Sequence, residues 1–580
     1  MQANENLPPV KRFATADIET DPFHFGDMPK PFAAGFYLPP DPETNEPGET
    51  QIWWGEDCIQ KLVARCKKFR GLIYFHNGGK FDVHFLLPYL PLSRSDSLVI
   101  GSRIVSLAFP AGYEFRDSFA LIPLPLAAWG KREINIQKLK KSRREKHKAE
   151  IIEYLKDDCK FLHEMLSAFF ARWPQKPTLA SVTRALLETK FDHKIPHFSA
   201  GDDAKFRRYY FAGRVNFFAL GCLRGPFTIL DINSAFPWSM QGSHWWCRKF
   251  TSGAGKPAKK FNQSFLVVEC DGGGSLPLRA ADKSVFFPNG TIHRFFVSGW
   301  EVRAGVRTGS IKNLKYIWHH TPRRTESFVN YVKFFFKMKA DAKARGDKAA
   351  EFHAKLFLNA CYGVLGIDPT KFRDVQFTSY YDAPKGPGWS EAWHNETAGV
   401  SVYQRPAKQR SHAGYTGYNC ICAAASITGR VRAFLHESMH RCKGVVYCDT
   451  DSIIARKVGR LSQGDKLGQW KNEMVCDVIW IGGKKLYVAH NADYPWEKDL
   501  PKGEKRNQWV FINGFGWNPK PTRQIKSFKT AAKGVKLSIP ALVAVCSGHT
   551  RKGRFDAPSY SALAPSKFIT RTIRRADKRK

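Results

Sequence analysis

Residues 444–455 read GVVYCDTDSIIA, two apolar runs on either side of an acidic turn. Short apolar runs joined by a polar turn predict a β-hairpin, here centred on 449–451. Strand alternation puts Asp449 and Asp451 on one side of it, at the exposed tip. Upstream, TILDINSAFP (228–237) brings Asp231 to the C-terminal end of a second strand-like run over 224–237. Carboxylates converging from two strands form the hard-oxygen donor set that a pair of Mg²⁺ ions takes. Two such ions, about 3.5–4 Å apart, activate an attacking hydroxyl and stabilise the leaving oxygen of an in-line displacement. Either segment taken alone also reads as an ordinary polar turn.

Between them lies KLFLNACYG (355–363), within a helical region expected over 326–362 and broken near Arg345-Gly346-Asp347. Lys355, Asn359 and Tyr362 are spaced four and then three apart, so they share one helix face. Gly363 is expected to end the helix. A lysine beside an aromatic ring suits a nucleotide, with the ammonium on the triphosphate and the ring against base or sugar. By itself the stretch is equally an amphipathic helix with a solvated lysine.

The N-terminal half carries a second set of acids. RFATADIET (12–20) reads as a strand ending in Asp17 and Glu19, and GLIYFHN (71–77) as another strand ending at Asn77, followed by Phe81-Asp82. Residues 148–172 predict a long amphipathic helix carrying Tyr154 and Asp158 at i,i+4. The pattern breaks at WPQKP (173–177), a domain boundary. The stretch from about 243 to 330 reads as irregular, rich in Gly, Lys and aromatics, and 367–412 as an insertion without periodicity. Helix is expected again over 417–442, and the last thirty residues hold ten Lys or Arg and two Asp.

Composition bounds the function. The chain has 580 residues, 43% hydrophobic and 25% charged, enough for several packed domains and unlike a disordered protein. Its formal charge of +39 calls for a polyanionic partner, nucleic acid first. Thirteen cysteines without a CxxC argue against a zinc ribbon and fit a reducing compartment. No signal peptide or membrane-length apolar run appears, so the expectation is a soluble intracellular protein. Charge alone would also fit a non-enzymatic DNA-coating protein, but that leaves seven placed carboxylates unexplained. A repair nuclease leaves Asp231, Asp449, Asp451 and Lys355 without a task.

Taken in order, Asp231 with Ser234 and Pro237, the Lys355–Gly363 helix and YCDTDS resemble motifs A, B and C of family B DNA polymerases. Asp17 and Glu19, Asn77 with Asp82, and Tyr154 with Asp158 resemble the three exonuclease motifs of proofreading members. The resemblance implies an α+β multidomain fold, an RNase H-like 3′–5′ exonuclease domain followed by a right hand of palm, fingers and thumb. It implies two Mg²⁺ (or Mn²⁺) per active site. Asp231 and Asp451 would be ligands in the polymerase site, with Asp449 a secondary ligand or orienting group. Asp17, Glu19, Asp82 and Asp158 would hold the exonuclease pair, and Tyr154 would orient the attacking water. Lys355, helped by Lys343, would neutralise the triphosphate of a dNTP; Asn359 would complete that face, and Tyr362 and Phe236 would form pocket floor and steric gate.

Further segments resemble the protein-primed branch, and the tectivirus polymerases in particular: ETDPF, HNGGKFD, FRDSFALIPLPLA and ASITGRVR. Tyr210 and Gly213 resemble an element that contacts template, and Lys485 and Tyr487 one that steadies the primer end. Asn77 would also contact DNA. The implied division is exonuclease 1–178, palm 179–242, terminal-protein-contacting insertion 243–330, fingers 331–366, strand-displacement insertion 367–412, palm 413–517, and thumb with basic tail 518–580. The implied partners are primer–template DNA, a separate terminal protein and a phage single-stranded DNA-binding protein. The enzyme would act as a monomer, off the membrane, in the cytoplasm of a bacterial host. An enzyme extending ordinary nucleic-acid primers is the alternative. Motif A carries Ala235-Phe236 where relatives have Leu-Tyr, and motif B carries Ala360 for Ser. Val364 stands where relatives often have a basic residue that contacts phosphate. The tail also reads as a nuclear signal, but a grip on DNA backbone is preferred.

Overall fold

The computed structural model describes residues 9–21, 29–41, 43–101, 103–126, 133–196, 198–368, 370, 372–379, 382–395, 399–407, 419–490, 509–512, 516–519, 529–532, 539–548, 551–556 and 568–573. The end of the basic tail, 574–580, lies outside them. The architecture is α+β and multidomain.

The N-terminal unit is a seven-stranded sheet in the order Glu49–Trp54, Pro31–Leu38, Phe13–Thr20, Leu72–Phe75, Glu114–Asp117, Arg103–Ala108, Asp96–Ile100. Its three middle strands are parallel and the flanking pairs antiparallel. Alternation along Phe13–Thr20 sorts its side chains. Ala14, Ala16 and Ile18 enter the core shared with helix Cys58–Lys68. Thr15 faces helix Lys148–Phe170, where its hydroxyl donates to the Cys159 carbonyl at 2.7 Å. Asp17 and Glu19 share the Thr15 side by the same alternation. That helix buries Ile151, Leu155, Asp158, Cys159 and Leu162, the three-and-four spacing of its inward face.

The break at 173–177 separates helices but not cores. Trp173 is buried with its ring 5.6 Å from Phe335 and 4.7 Å from Phe357. Those rings belong to two antiparallel helices, Val329–Ala344 and Lys348–Leu365. The turn between them uses Gly346 at φ +70°, and the Asp347 carboxylate caps the second helix by accepting from the Ala350 N–H at 2.9 Å. This helix does not end at Gly363. It continues to Leu365 because Val364 and Leu365 are buried, outweighing the ~1 kcal/mol that an interior glycine costs, and Gly366 closes it.

The stretch expected to be irregular is structured. Phe250–Ala254, Lys312–Pro322, Phe265–Asp271 and Ile292–Ser298 form a four-stranded antiparallel sheet, with helix Gly299–Arg307 packed on its core. The second insertion is a three-stranded sheet of Arg373–Ser379, Val400–Pro406 and Ser390–Asn395. Its Val375, Phe377, Val400 and Val402 join the core of the N-terminal unit. The Gln376 amide donates to the carbonyls of Leu92 at 3.0 Å and Ser95 at 3.3 Å.

The central sheet is antiparallel: Lys529–Ala532, Leu486–His490, Trp470–Gly483, Gly221–Ile232, Ser452–Lys457, Lys443–Asp449, Val215–Phe217. The chain leaves this sheet after Ile232, builds the helix pair and returns, which makes the sheet discontinuous in sequence as expected. Lys529–Ala532 carries it past residue 517, into the stretch expected to be thumb. Helix Ile421–Arg441 is buried almost throughout, and Val431 and Leu435 pack on Leu230, Cys448 and Ile453 of the sheet.

Candidate active sites

Two groups of carboxylates form, one on each seven-stranded sheet. In the central sheet Asp231 stands opposite Ser452, next to the hairpin turn. The Ile232 N–H donates to the Asp451 carbonyl at 2.8 Å, drawing the two acidic segments together. Thr450 holds the turn at φ +56° and donates its N–H to the Arg214 carbonyl at 2.6 Å. Gly213 is required just before that contact, since a Cβ there would sit 2.6 Å from the Thr450 side chain.

Burial, then Asp451 and Glu473, push the Asp231 carboxyl up to about 7, with Lys529 opposing. Burial, then Asp449, push Asp451 up to about 6. Carboxylates that crowd one another in this way are the donor chemistry a divalent cation suits. Asp449 is placed differently. Its oxygens accept from the Lys485 ammonium at 3.0 and 3.1 Å, so Lys485 lies on the acidic turn. Tyr487 is buried with its ring 5.0 Å from that of Tyr447.

Glu473 escaped the sequence reading. It sits where the pairing of Trp470–Gly483 with Gly221–Ile232 slips between Asn472 and Met474, and it is ion-paired with Lys529. Alternation cannot place a residue in a bulge, so only its sequence neighbourhood, GQWKNE (468–473), offered a signal.

Facing the acids, the helix Lys348–Leu365 exposes Lys355 and Asn359, half-exposes Tyr362 and buries Ala354, Phe357, Leu358 and Cys361. The ring of Phe236 stacks on that of Tyr362 with centroids 3.9 Å apart and planes 11° apart. Lys343 is exposed on the preceding helix. Lys339, one turn before it, was also missed. Burial, then Lys355, lower its pKa, with Lys343 and Lys471 adding repulsion. Its four-residue spacing from Lys343 was the available clue. Tyr210 reaches the same helix end, where its hydroxyl lies 2.8 Å from the Cβ position of Gly366.

In the N-terminal sheet, oxygens of Asp17, Glu19 and Asp158 lie within 4.8 Å of one another, the one such group of metal-ligating side chains among the described residues. Asp82 is outside that group but beside it. Burial, then Asp17, hold its carboxyl well above the ordinary range, with Asp117 contributing. Tyr154 lies one turn before Asp158, half-buried. Asn77 takes φ +63° and accepts from Arg103 at 2.9 Å.

A buried ion pair links the insertion 243–330 to helix Ile421–Arg441. Arg432 donates from Nε to Glu301 at 2.8 Å, and both side chains are 1% exposed. Its Nη1 donates to the carbonyls of Phe211 and of Ala212, the latter at 2.8 Å. Thus Glu301 and Arg432 anchor the segment that carries Tyr210, Gly213 and the Arg214 carbonyl.

Among the described residues, no helix is long and apolar enough to cross a membrane. The model of organellar and viral type B DNA polymerases matches residues 128–383. The DNA-directed DNA polymerase of Enterobacteria phage PRD1 is 31% identical over 576 residues, covering 97% of this chain and 98% of that protein. A structure of Phi29 DNA polymerase with primer–template DNA and incoming nucleotides covers 98% of this chain and 99% of its own, with a TM-score of 0.68 at 15% identity. An orthorhombic crystal form of Phi29 DNA polymerase gives 0.66 at 16% identity, over 98% and 99%. The fold is thus that of these Phi29 DNA polymerase structures, and the chain belongs to the type B DNA polymerases of the organellar and viral kind and is a DNA-directed DNA polymerase.

Proposed function

We propose that the protein replicates a linear phage or plasmid-like genome by protein-primed initiation and strand-displacement synthesis, with 3′–5′ proofreading in the same chain. The observation that carries this reading is the crowding of Asp231 and Asp451 at the ends of two paired middle strands of the central sheet, near the Phe236–Tyr362 stack.

Asp231 and Asp451 are the ligands for a Mg²⁺ or Mn²⁺ pair, with Asp449 and Glu473 adjoining. When bound, the cations lower the pKa of the attacking hydroxyl and neutralise the leaving pyrophosphate. Around them, Lys355 and Lys343 bind the triphosphate, Asn359 borders it, and Tyr362 with Phe236 shapes the sugar and base pocket. The primer 3′-hydroxyl gives its proton to solvent and its oxygen bonds to the α-phosphorus, as the bond from that phosphorus to the α–β bridging oxygen breaks and pyrophosphate leaves. At initiation a Ser, Thr or Tyr hydroxyl of a terminal protein takes the place of the primer. Lys485 and Tyr487 steady the primer end, and Tyr210 and Gly213 contact template. Asp17, Glu19, Asp82 and Asp158 hold the exonuclease cations, Tyr154 orients the water, and Asn77 holds the unpaired strand.

In this reading the units are 1–178 for digestion, 179–242 with 413–517 for the palm, 331–366 for the fingers and 518–580 for the thumb. The insertion 243–330 meets the terminal protein and 367–412 surrounds template ahead of synthesis. A single-stranded DNA-binding protein assists, in the bacterial cytoplasm. The test is a primed single-stranded circle with protein, Mg²⁺ and four dNTPs. Products longer than the circle support synthesis coupled to strand displacement; arrest at one circle length removes that role from 367–412. A primer that only shortens refutes the polymerase assignment.

A further inference from the structure

A cavity of about 260 Å³ opens between helices Gly299–Arg307, Ile421–Arg441 and Ala235–Met240, and none of the carboxylates of the two acidic groups lines it. Two helices supply its rims. Trp300, Arg303 and Arg307 are spaced three and four apart on Gly299–Arg307, so they share one face. Arg430 and Phe434 do the same on Ile421–Arg441. Trp238 closes the end from the short helix Ala235–Met240, two residues past Phe236 and so on nearly the opposite side of that helix.

The lining is cationic and aromatic together. The Arg430 guanidinium lies 4.4 Å from the Trp238 ring centroid and 5.2 Å from that of Trp300. One of its nitrogens, Nη1, donates to the Ser239 carbonyl at 2.8 Å. Arg303 is exposed, and Arg307 stands 3.6 Å from Glu437, the one carboxylate of the lining. Three guanidiniums against one carboxylate leave the cavity positive. The Trp300 indole N–H is buried and has no hydrogen-bond partner among the described residues, although a buried indole ordinarily finds one.

Guanidiniums fork onto phosphate oxygens, indole faces stack on bases, and an unused indole N–H asks for an acceptor. We infer that this cavity binds one nucleotide unit, its phosphate on Arg303 and Arg307 and its base against Trp300. The favoured source is a single-stranded DNA segment outside the primer–template path, and a free nucleotide is the other source of the same chemistry. This site is independent of the carboxylate sites and does not rest on their assignment.

The test uses the full chain with its main cleft filled by excess hairpin primer–template. A short oligothymidylate carrying 5-iododeoxyuridine is photo-crosslinked, and the attached peptides are mapped by mass spectrometry. The expected result is attachment at Trp300, Trp238 or Phe434. It should fall by at least about tenfold in Arg303→Glu with Arg307→Glu, since two exposed phosphate-binding cations are reversed. Thermal unfolding and hairpin extension by this variant should match the parent. A Trp300→Phe variant keeps the ring and should weaken attachment without abolishing it. 5-Iododeoxyuridine monophosphate alone distinguishes the sources: labelling by the oligomer only assigns a strand, and equal labelling by the monomer assigns a free nucleotide. Equal attachment in parent and charge-reversed variant overturns the proposal. So does attachment only at other peptides, or competition by oligoglutamate as strong as by unlabelled oligothymidylate, which would mean that the cavity reads charge alone.

Discussion

Replacing Glu301 by Gln tests whether the insertion 243–330 holds the acidic turn at 449–451. The change is isosteric and removes one charge from a pair in which both partners are 1% exposed. Arg432 would stay buried, still hydrogen-bonded to Phe211 and Ala212 but without a counter-ion. Removing one partner of a buried pair costs about 3–5 kcal/mol, against a whole-protein stability of about 5–15 kcal/mol. Glu301 also accepts from the Ser298 N–H at 3.0 Å and hydroxyl at 2.8 Å, so the start of helix Gly299–Arg307 loosens too. The strain passes to the Arg214 carbonyl and from there to the Thr450 N–H. We expect the denaturant midpoint of the polymerase part to fall by the equivalent of about 3 kcal/mol. DNA synthesis should fall with it, while single-strand digestion, whose acids lie on the other sheet, is kept. Exchanging both residues for apolar ones of similar size, Glu301→Leu with Arg432→Met, should remove the penalty of the buried charge but recover the stability only in part, because the Phe211 and Ala212 carbonyls and the Ser298 donors lose their partners. A Glu301→Gln protein within about 1 kcal/mol of the parent, or one that loses both activities equally while folded, would refute the reasoning.

Three more outcomes are expected. Asp451→Ala should abolish synthesis and spare digestion, and Asp17→Ala with Glu19→Ala should do the reverse, as followed on one labelled primer with and without dNTPs; a folded mutant lacking both activities would undo the division of sites. Phe236→Ala should lose the ring stack on Tyr362, worth about 0.5–1.5 kcal/mol, and should raise ribonucleotide insertion in single-turnover assays, whereas unchanged sugar selectivity would remove Phe236 from the gate. His244 is buried between Ser239 and Ser426, and burial pushes its pKa down to about 3. A depressed histidine stabilises the fold fully above its unfolded pKa and loses that contribution as pH falls toward the folded value. Between pH 7 and pH 5 it should cost about 2 kcal/mol, so His244→Asn should flatten the stability profile by that amount in chemical denaturation.

Much of both sites was legible because period two and period three-to-four assign faces directly. FATADIET put Asp17 and Glu19 together, and the Lys355–Asn359–Tyr362 spacing marked the exposed face of its helix. What was not legible depends on distant pairing. The strands Phe250–Ala254 and Lys312–Pro322 are neighbours in one sheet, yet some sixty residues separate them and their mixed exposure shows no alternation. Glu473 sits in a bulge, and the helix end after Gly363 was set by two buried residues rather than by the glycine. The Glu301–Arg432 pair joins residues 131 apart in sequence; Arg432 ends the stretch ASITGRVR and Glu301 completes the Ser298–Glu301 capping box, but neither pattern tells which residue the other charge meets.

The three-stranded sheet 373–406 emerges from the chain between the nucleotide helix and the central sheet, yet its apolar face belongs to the N-terminal unit. Cutting away residues 1–178 to obtain a synthesis-only enzyme would therefore strip the cover from Val375, Phe377, Val400 and Val402 and present them to water as an adhesive strip. Under the proposed division of sites, a version without digestion is best made by editing Asp17 and Glu19 in place. The same contact means that a hinge opening the helix pair would drag or detach this sheet, tying the reach of any such swing to the position of the N-terminal unit.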